Sequence, residues 1–259
     1  MKKEGSFEIQ TYISMRRRII QIMKKKILIS IMMLTVSFFV FSTTCSAATW
    51  SKHALTRVFN TNYYARGVRG DFLLPLLDAK RSLAFPNNFI TFEQWIPVNG
   101  NSGDWLEIGY TNGYFDHLKQ GGSTYTGFFK AKYYQETYWE VKLDKTATVG
   151  TRYKFTIVDS NHDGNWDIFI DSTYFGKFDG IIPRSNCLWV DQGYEFNIAP
   201  GSPTPIYAAK DITNQQYYFK DGSTTWRNFN SVTGIDTYNT ATSYLLVVWN
   251  SSLNKTTFY

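Results

Sequence analysis

Residues 152–171 read RYKFTIVDSNHDGNWDIFID. In the first apolar run, Tyr153, Phe155 and Ile157 fall on alternate positions. In the second, Trp166, Ile168 and Ile170 do the same, which leaves Asp167, Phe169 and Asp171 for the opposite side. A repeat of two is that of a strand with one buried face. Between the runs, Asp163-Gly164 is a hairpin signal, because glycine accepts the positive φ that tight turns require. The same centre also resembles a calcium loop, with Asp159, Asn161 and Asp163 on alternate positions ahead of Gly164. Such a loop needs a bidentate carboxylate at its twelfth position. Ile170 stands there and Asp171 comes one residue late. In a strand, a shift of one residue turns the side chain to the other face. A hairpin is therefore expected, calcium at these three residues is disfavoured, and no cofactor is expected.

Working outward, short runs rich in Tyr, Phe, Trp, Ile, Val and Thr recur between clusters of Gly, Asn, Asp and Pro, the pattern of strands and turns. Strands are expected at 62–68, 89–97, 104–111, 125–134, 137–143, 152–159, 165–171, 194–199, 205–211, 216–220 and 244–250. The stretch DFLLPLLDAKR (71–81) is the one helix-like piece, shortened or bent by Pro75. About eleven strands without a repeat or linker imply two antiparallel sheets, each burying one face on the other. The fold class expected is all-β, a jelly-roll sandwich of concanavalin type, with a closed barrel as the second choice.

The first 48 residues differ from the rest. A basic head, an apolar run over 27–42 and a small-residue exit at Ser46-Ala47-Ala48 make a secretory signal peptide. The apolar run is shorter than the roughly 20 residues that span a bilayer, and a retained anchor is the alternative. Met23 begins a compact signal by itself, so residues 1–22 read as an over-called start. Cys45 lacks a good lipobox before it and is expected to leave with the signal. Residues 49–259 are then one β-sandwich domain of a secreted protein, in contact with a membrane only during export. Of 27 Lys/Arg and 21 Asp/Glu, eight and two lie in residues 1–48, so the remainder carries 19 of each and no net charge. A basic surface for nucleic acid is thereby excluded. Cys187 is left as a lone cysteine, expected to be a buried small hydrophobe. Oligomeric state is not legible.

Candidate chemistry lies elsewhere. Glu107 sits inside DWLEIGYT, on a strand face with Trp105, Gly109 and Thr111, and Gly109 marks a close approach of backbone or ligand. Glu195 lies in DQGYEFNI, again in a strand after a glycine. Two carboxyl groups meeting across a concave sheet would form a general acid/base pair. The aromatic content is 18%. Trp105, Tyr110, Tyr125, Tyr133 and Trp139 are candidates to stack on sugar rings or peptide side chains. His53, His117 and His162 lack metal spacing, and there is no G-x-S-x-G.

The string Leu106-Glu107-Ile108-Gly109-Tyr110 resembles the strand carrying the first catalytic residue of glutamic peptidases, the eqolisin and neprosin families. The features that follow keep a similar order: YTGFFKAKYY, Tyr138-Trp139-Glu140, Val149-Gly150 with Tyr153, Asn165-Trp166 and a late Glu195. The resemblance implies a concanavalin-like sandwich with Glu107 and Glu195 as the first and second catalytic positions on its concave face. The chain departs from the pattern in having no recognisable propeptide and only Tyr-Trp-Glu where eqolisins carry a longer aromatic run. Three functions are carried forward. The first is a module binding an extracellular polymer, polysaccharide or protein, on an aromatic concave face. The second is an acid-active glutamic peptidase-like hydrolase. The third is a structural surface protein without a small-ligand site.

Overall fold

A computed structural model describes residues 52–59, 65–99, 103–182, 189–208, 210–219, 225–231, 235–241 and 243–259. These all lie in the compact unit Trp50–Tyr259. The signal segment, Cys45 and Cys187 fall outside the described residues.

The strands in chain order are β1 (Lys52–Phe59), β2 (Ala65–Leu73), β3 (Leu77–Asp78), β4 (Phe89–Asn99), β5 (Asp104–Phe115) and β6 (Ser123–Tyr134). Next come β7 (Thr137–Lys142), β8 (Arg152–Val158), β9 (Trp166–Ile170), β10 (Thr173–Phe178), β11 (Trp189–Asn197) and β12 (Ile206–Tyr207). The last are β13 (Asp211–Phe219), β14 (Arg227–Asn228), β15 (Ile235–Asn239), β16 (Val247–Asn250) and β17 (Lys255–Phe258). One sheet has the order β15-β1-β11-β4-β5-β6-β7, and the other β10-β9-β8-β2-β13-β17-β16 with β14 beside β13. Neighbouring strands in both sheets are antiparallel. The fold is an all-β, two-sheet antiparallel jelly-roll sandwich of the concanavalin-like class.

Side-chain alternation builds the core. Phe92 and Ile96 of β4, Leu106 and Ile108 of β5, and Tyr194 of β11 point into the sandwich. They meet Phe72, Phe155, Ile157, Ile168 and Phe258 of the opposite sheet. Phe72 packs edge-on against Phe92 at 4.9 Å, and Phe258 against Tyr194 at 4.9 Å. Among these apolar contacts runs a polar chain. Gln192 Nε2 donates to Gln94 Oε1 at 2.9 Å, Gln215 Nε2 to Gln192 Oε1 at 2.8 Å, and Thr256 Oγ1 to Gln215 Oε1 at 2.8 Å. Thr56 of β1 closes it against Thr256 at 2.6 Å, so the two sheets are stitched by hydrogen bonds as well as by packing.

The opening stretch forms β8 and β9, with Phe155 opposite Ile170 and Ile157 opposite Ile168. Its turn is longer than a two-residue hairpin, running from Asp159 to Asn165 with Gly164 at φ 82°. Asp159 is fully buried. Its carboxylate accepts the backbone N–H groups of Asp163 and Gly164, both at 3.1 Å, and is ion-paired to the buried Arg66. Asp163 accepts the backbone and side-chain N–H groups of Asn165, each at 2.9 Å, and Asn161 is exposed. The acids of this loop build the turn itself.

The helix expected over 71–81 is not formed. Residues 71–73 belong to β2, and beyond Pro75 the chain makes the short β3, paired with β12. Phe72, Leu74, Leu77 and Ala79 are buried, whereas Leu76 is 52% exposed. The alternation of a strand on either side of a proline has overridden the helical reading. Strands β1, β3, β10, β14, β15 and β17 have no counterpart among the expected strands.

Candidate active site

The β15-to-β7 sheet has an outer face on which polar and aromatic side chains collect. Antiparallel register places them. Glu93 of β4 lies opposite Gly109 of β5 on one side and Gly193 of β11 on the other. Two residues from each glycine stands another glutamate, Glu107 on β5 and Glu195 on β11. The motif is thus Glu-x-Gly on one neighbour and Gly-x-Glu on the other, with Glu93 between. A Cβ at Gly109 would overlap Glu93, and one at Gly193 would overlap the β1 backbone at Ala54 and Leu55. The absence of a side chain at Gly109 leaves room for Glu93, and one carboxyl oxygen from each of the three glutamates lies within 4.8 Å of the other two.

Glu93 has no exposed surface. Its Oε1 accepts the Thr91 hydroxyl at 2.6 Å. Its Oε2 is buried without a hydrogen-bond donor among the described residues, and the Glu93 and Glu195 carboxyls contact each other, which needs a proton on one of the two groups. Burial, then the charges of Glu107 and Glu195, push the Glu93 carboxyl well above the ordinary range. Glu107 is also buried. Burial, Glu195 and Glu140 push it well up, against a hydrogen bond from the Trp95 indole. Glu195 is the most accessible of the three, with 18% of its side chain exposed, and His53 Nε2 stands 3.8 Å from its Oε1. Like charges this close in a dry site cannot all ionise, and carboxyl groups so placed relieve the crowding by sharing protons. The same three groups are the ones that could ligate a hard divalent cation.

Two clefts open onto the cluster, and Glu195 lines both. The larger, about 540 Å³, has walls of His53, Trp95, Trp105, Trp189 and Tyr238. Arg57 at its edge donates Nε and Nη2 to Asp191 at 2.6 Å each, and its guanidinium lies 5.4 Å from the Trp189 ring centre and 5.5 Å from that of Tyr238. Burial raises the Asp191 carboxyl, and Arg57 opposes the rise. The smaller cleft, about 160 Å³, contains Glu107 and Glu140 among Phe89, Trp105, Phe129 and Tyr138. Tyr138 donates its hydroxyl to Glu140 Oε2 at 2.6 Å, and the Asp116 N–H donates to Oε1. Burial, Glu107 and Glu140 raise the Tyr138 phenol so far that it keeps its proton throughout the working range of a protein.

The sequence-derived residues are therefore divided between two faces. Glu107 and Glu195 meet, and Trp105 lies beside them, 6.2 Å from Tyr133 and 5.9 Å from Tyr138 between ring centres. Tyr125 is on the same face but packs against Phe115 at 4.9 Å and donates its hydroxyl to Phe128 O. Tyr110 points between the sheets, 5.9 Å from Phe128. Trp139 also points inward, 5.9 Å from Phe178. Glu93, Arg57 and Asp191 carry no motif that sequence reading picks out, and His53 draws notice there only for lacking metal spacing. Glu93 does carry a signal: a lone acid in the middle of the apolar strand FITFEQWIP.

No protein-family model matches the chain, and no curated protein matches it either. Among solved structures it is similar to sheep galectin-11, at 14% identity and TM-score 0.32 over 60% of this chain and 96% of that one. A galectin of Caenorhabditis elegans is 10% identical, with TM-score 0.32 over 59% of this chain and 89% of that one. A glycosidic hydrolase is 12% identical, with TM-score 0.38 over 64% of this chain and 77% of that one.

Proposed function

We propose that the protein is an exported, acid-active hydrolase of the glutamic peptidase type, which binds an extended polypeptide across its outer sheet face and cleaves it with carboxyl groups alone. The observation that carries this reading is the convergence of Glu93, Glu107 and Glu195 to within 4.8 Å beneath two aromatic clefts. Carboxyl oxygens this close suit a shared proton and a single water.

Each residue has a role that follows from its surroundings. Glu195, reached from both clefts, takes a proton from water as that water attacks the scissile carbonyl carbon. Glu107, kept protonated by burial, gives its proton to the carbonyl oxygen, and a neutral tetrahedral diol forms. The diol collapses as the C–N bond breaks. The proton on Glu195 passes to the departing nitrogen, and Glu107 recovers its proton from the diol hydroxyl. Glu93 holds a proton against Glu195 and orients it. Arg57, Trp95 and Trp189 grip the chain in the larger cleft.

The test is digestion of casein at pH 3–5 by the wild type and by Glu107→Gln and Glu195→Gln. Loss of about 10²–10⁴-fold in each variant is expected, with unchanged circular dichroism. Equal cleavage by all three would sink the reading. A second reading, a non-catalytic module for polysaccharide or protein, is favoured by the four-aromatic wall of the larger cleft. Under that reading, Glu107→Gln keeps full polymer affinity and the wild type releases no product.

A further inference from the structure

We propose that the small cleft beside Glu107 is the specificity pocket of this site, and that it takes one uncharged substrate side chain of isobutyl or phenyl size next to the scissile bond. The inference rests on the hydrolase reading above and adds the substrate class.

Size comes first. The cleft measures about 160 Å³, and an apolar cavity of about 150 Å³ holds benzene. A leucine or phenylalanine side chain fits, whereas a two-ring indole does not. The wall comes second. Phe89, Trp105, Phe129 and Tyr138 face the space, with Thr111 at its floor and the half-buried Tyr114 at its mouth. Phe129 is packed against Phe115 at 5.9 Å and Trp105 against Tyr138, so the aromatic wall is braced from behind. Polarity comes third. Several polar groups in this wall are already engaged: the Thr91 hydroxyl with Glu93, the Thr111 hydroxyl with Ile90 O, the Tyr138 hydroxyl with Glu140, Glu140 with the Asp116 N–H, and Glu107 with the Trp95 indole. A polar side chain entering here would lose water and gain little in return. An anionic residue would also lose its water, with no cation in this lining to receive it.

Position relates the pocket to the chemistry. Glu107 and Glu195 line it, and Glu195 also lines the larger cleft. The scissile bond then lies over the cluster, with one neighbouring side chain in the small pocket and the chain on the other side in the cleft of Arg57 and Trp189.

A panel of internally quenched peptides varied at the two residues flanking one bond, read at pH 4 with mass spectrometry to locate the cut, tests this. Leu and Phe at one of the two positions should exceed Trp, Lys and Glu by about 10–200-fold in kcat/KM. Tyr114→Ala opens the mouth and should bring Trp to within about threefold of Phe, while Thr111→Leu fills the floor and should lower Phe about tenfold relative to Gly. Opposite shifts in preference are a readout that general loosening of the fold would not produce. Cleavage with no size preference at either position, or a preference that neither variant moves, overturns the pocket and leaves the hydrolase reading standing. Wild type that cuts no peptide of the panel or casein overturns both.

Discussion

Glu93 lies with no exposed surface between two other glutamates, and Gln is nearly its isostere. The substitution Glu93→Gln removes a group that must stay protonated in the folded site although the unfolded chain releases that proton at neutral pH. At pH 7.5 the variant is expected to be more stable than wild type by about 1–3 kcal/mol, and at pH 4, where the wild-type carboxyl is already neutral, to be nearly equal. Urea melts at the two pH values check this; equal differences at both would refute it. Activity should fall while polymer binding persists, because Glu195 loses its proton donor but the clefts are untouched. Gly109 makes a sharper case. A methyl group there overlaps Glu93 itself, so Gly109→Ala should push the carboxyls apart and abolish casein cleavage.

At the scale of elements, the β8–β9 hairpin is held by one buried carboxylate. Asp159→Ala strips Asp163 and Gly164 of their acceptor and Arg66 of its buried partner carboxylate. Removing one member of such a pair costs about 3–5 kcal/mol, to be read from the urea midpoint. Because those oxygens are used by the turn, a chelator should leave the melting temperature unchanged. The glutamine chain between the sheets behaves likewise. Gln192→Leu deprives Gln94 Oε1 and Gln215 Nε2 of partners in a closed interior and should cost about 2–4 kcal/mol, beyond what the added apolar contact returns. The hairpin was legible because alternate apolar residues survive in one short window. The segment 71–81 was misread because two leucines on each side of Pro75 fit a helix and a strand equally well in sequence, and only pairing with β12 separates them. Strand β1 hid because His53, Arg57 and Lys52 interrupt its apolar residues. Two of them, His53 and Arg57, face the larger cleft.

For the whole molecule, the carboxyl cluster sets how stability depends on pH. The folded values of Glu93 and Glu107 lie above the ordinary 4.5, so the native state keeps protons that the unfolded chain releases. Stability from this source is full below about pH 4.5 and is lost as pH rises through the raised values. On the acid side, Asp211 works in the opposite sense. Burial would raise it, but Lys255 and Arg152 hold it below its ordinary 3.8, so its contribution is lost as pH falls. The melting temperature should therefore peak in mild acid, near pH 4–5, and decline toward neutrality; a maximum above pH 7 would contradict the shared-proton cluster. The sequence alone determined the fold class, since a repeat of two between turn residues can bury its apolar half only as stacked sheets. It also marked Glu107 and Glu195, because each is an acid within an apolar strand near a glycine. Only the tertiary structure brought Glu93 between them and sent Tyr110 and Trp139 to the opposite face from Trp105. Which strands become neighbours, and in what register, depends on contacts across the whole chain, and a register of two residues is what makes three separate acids into one site.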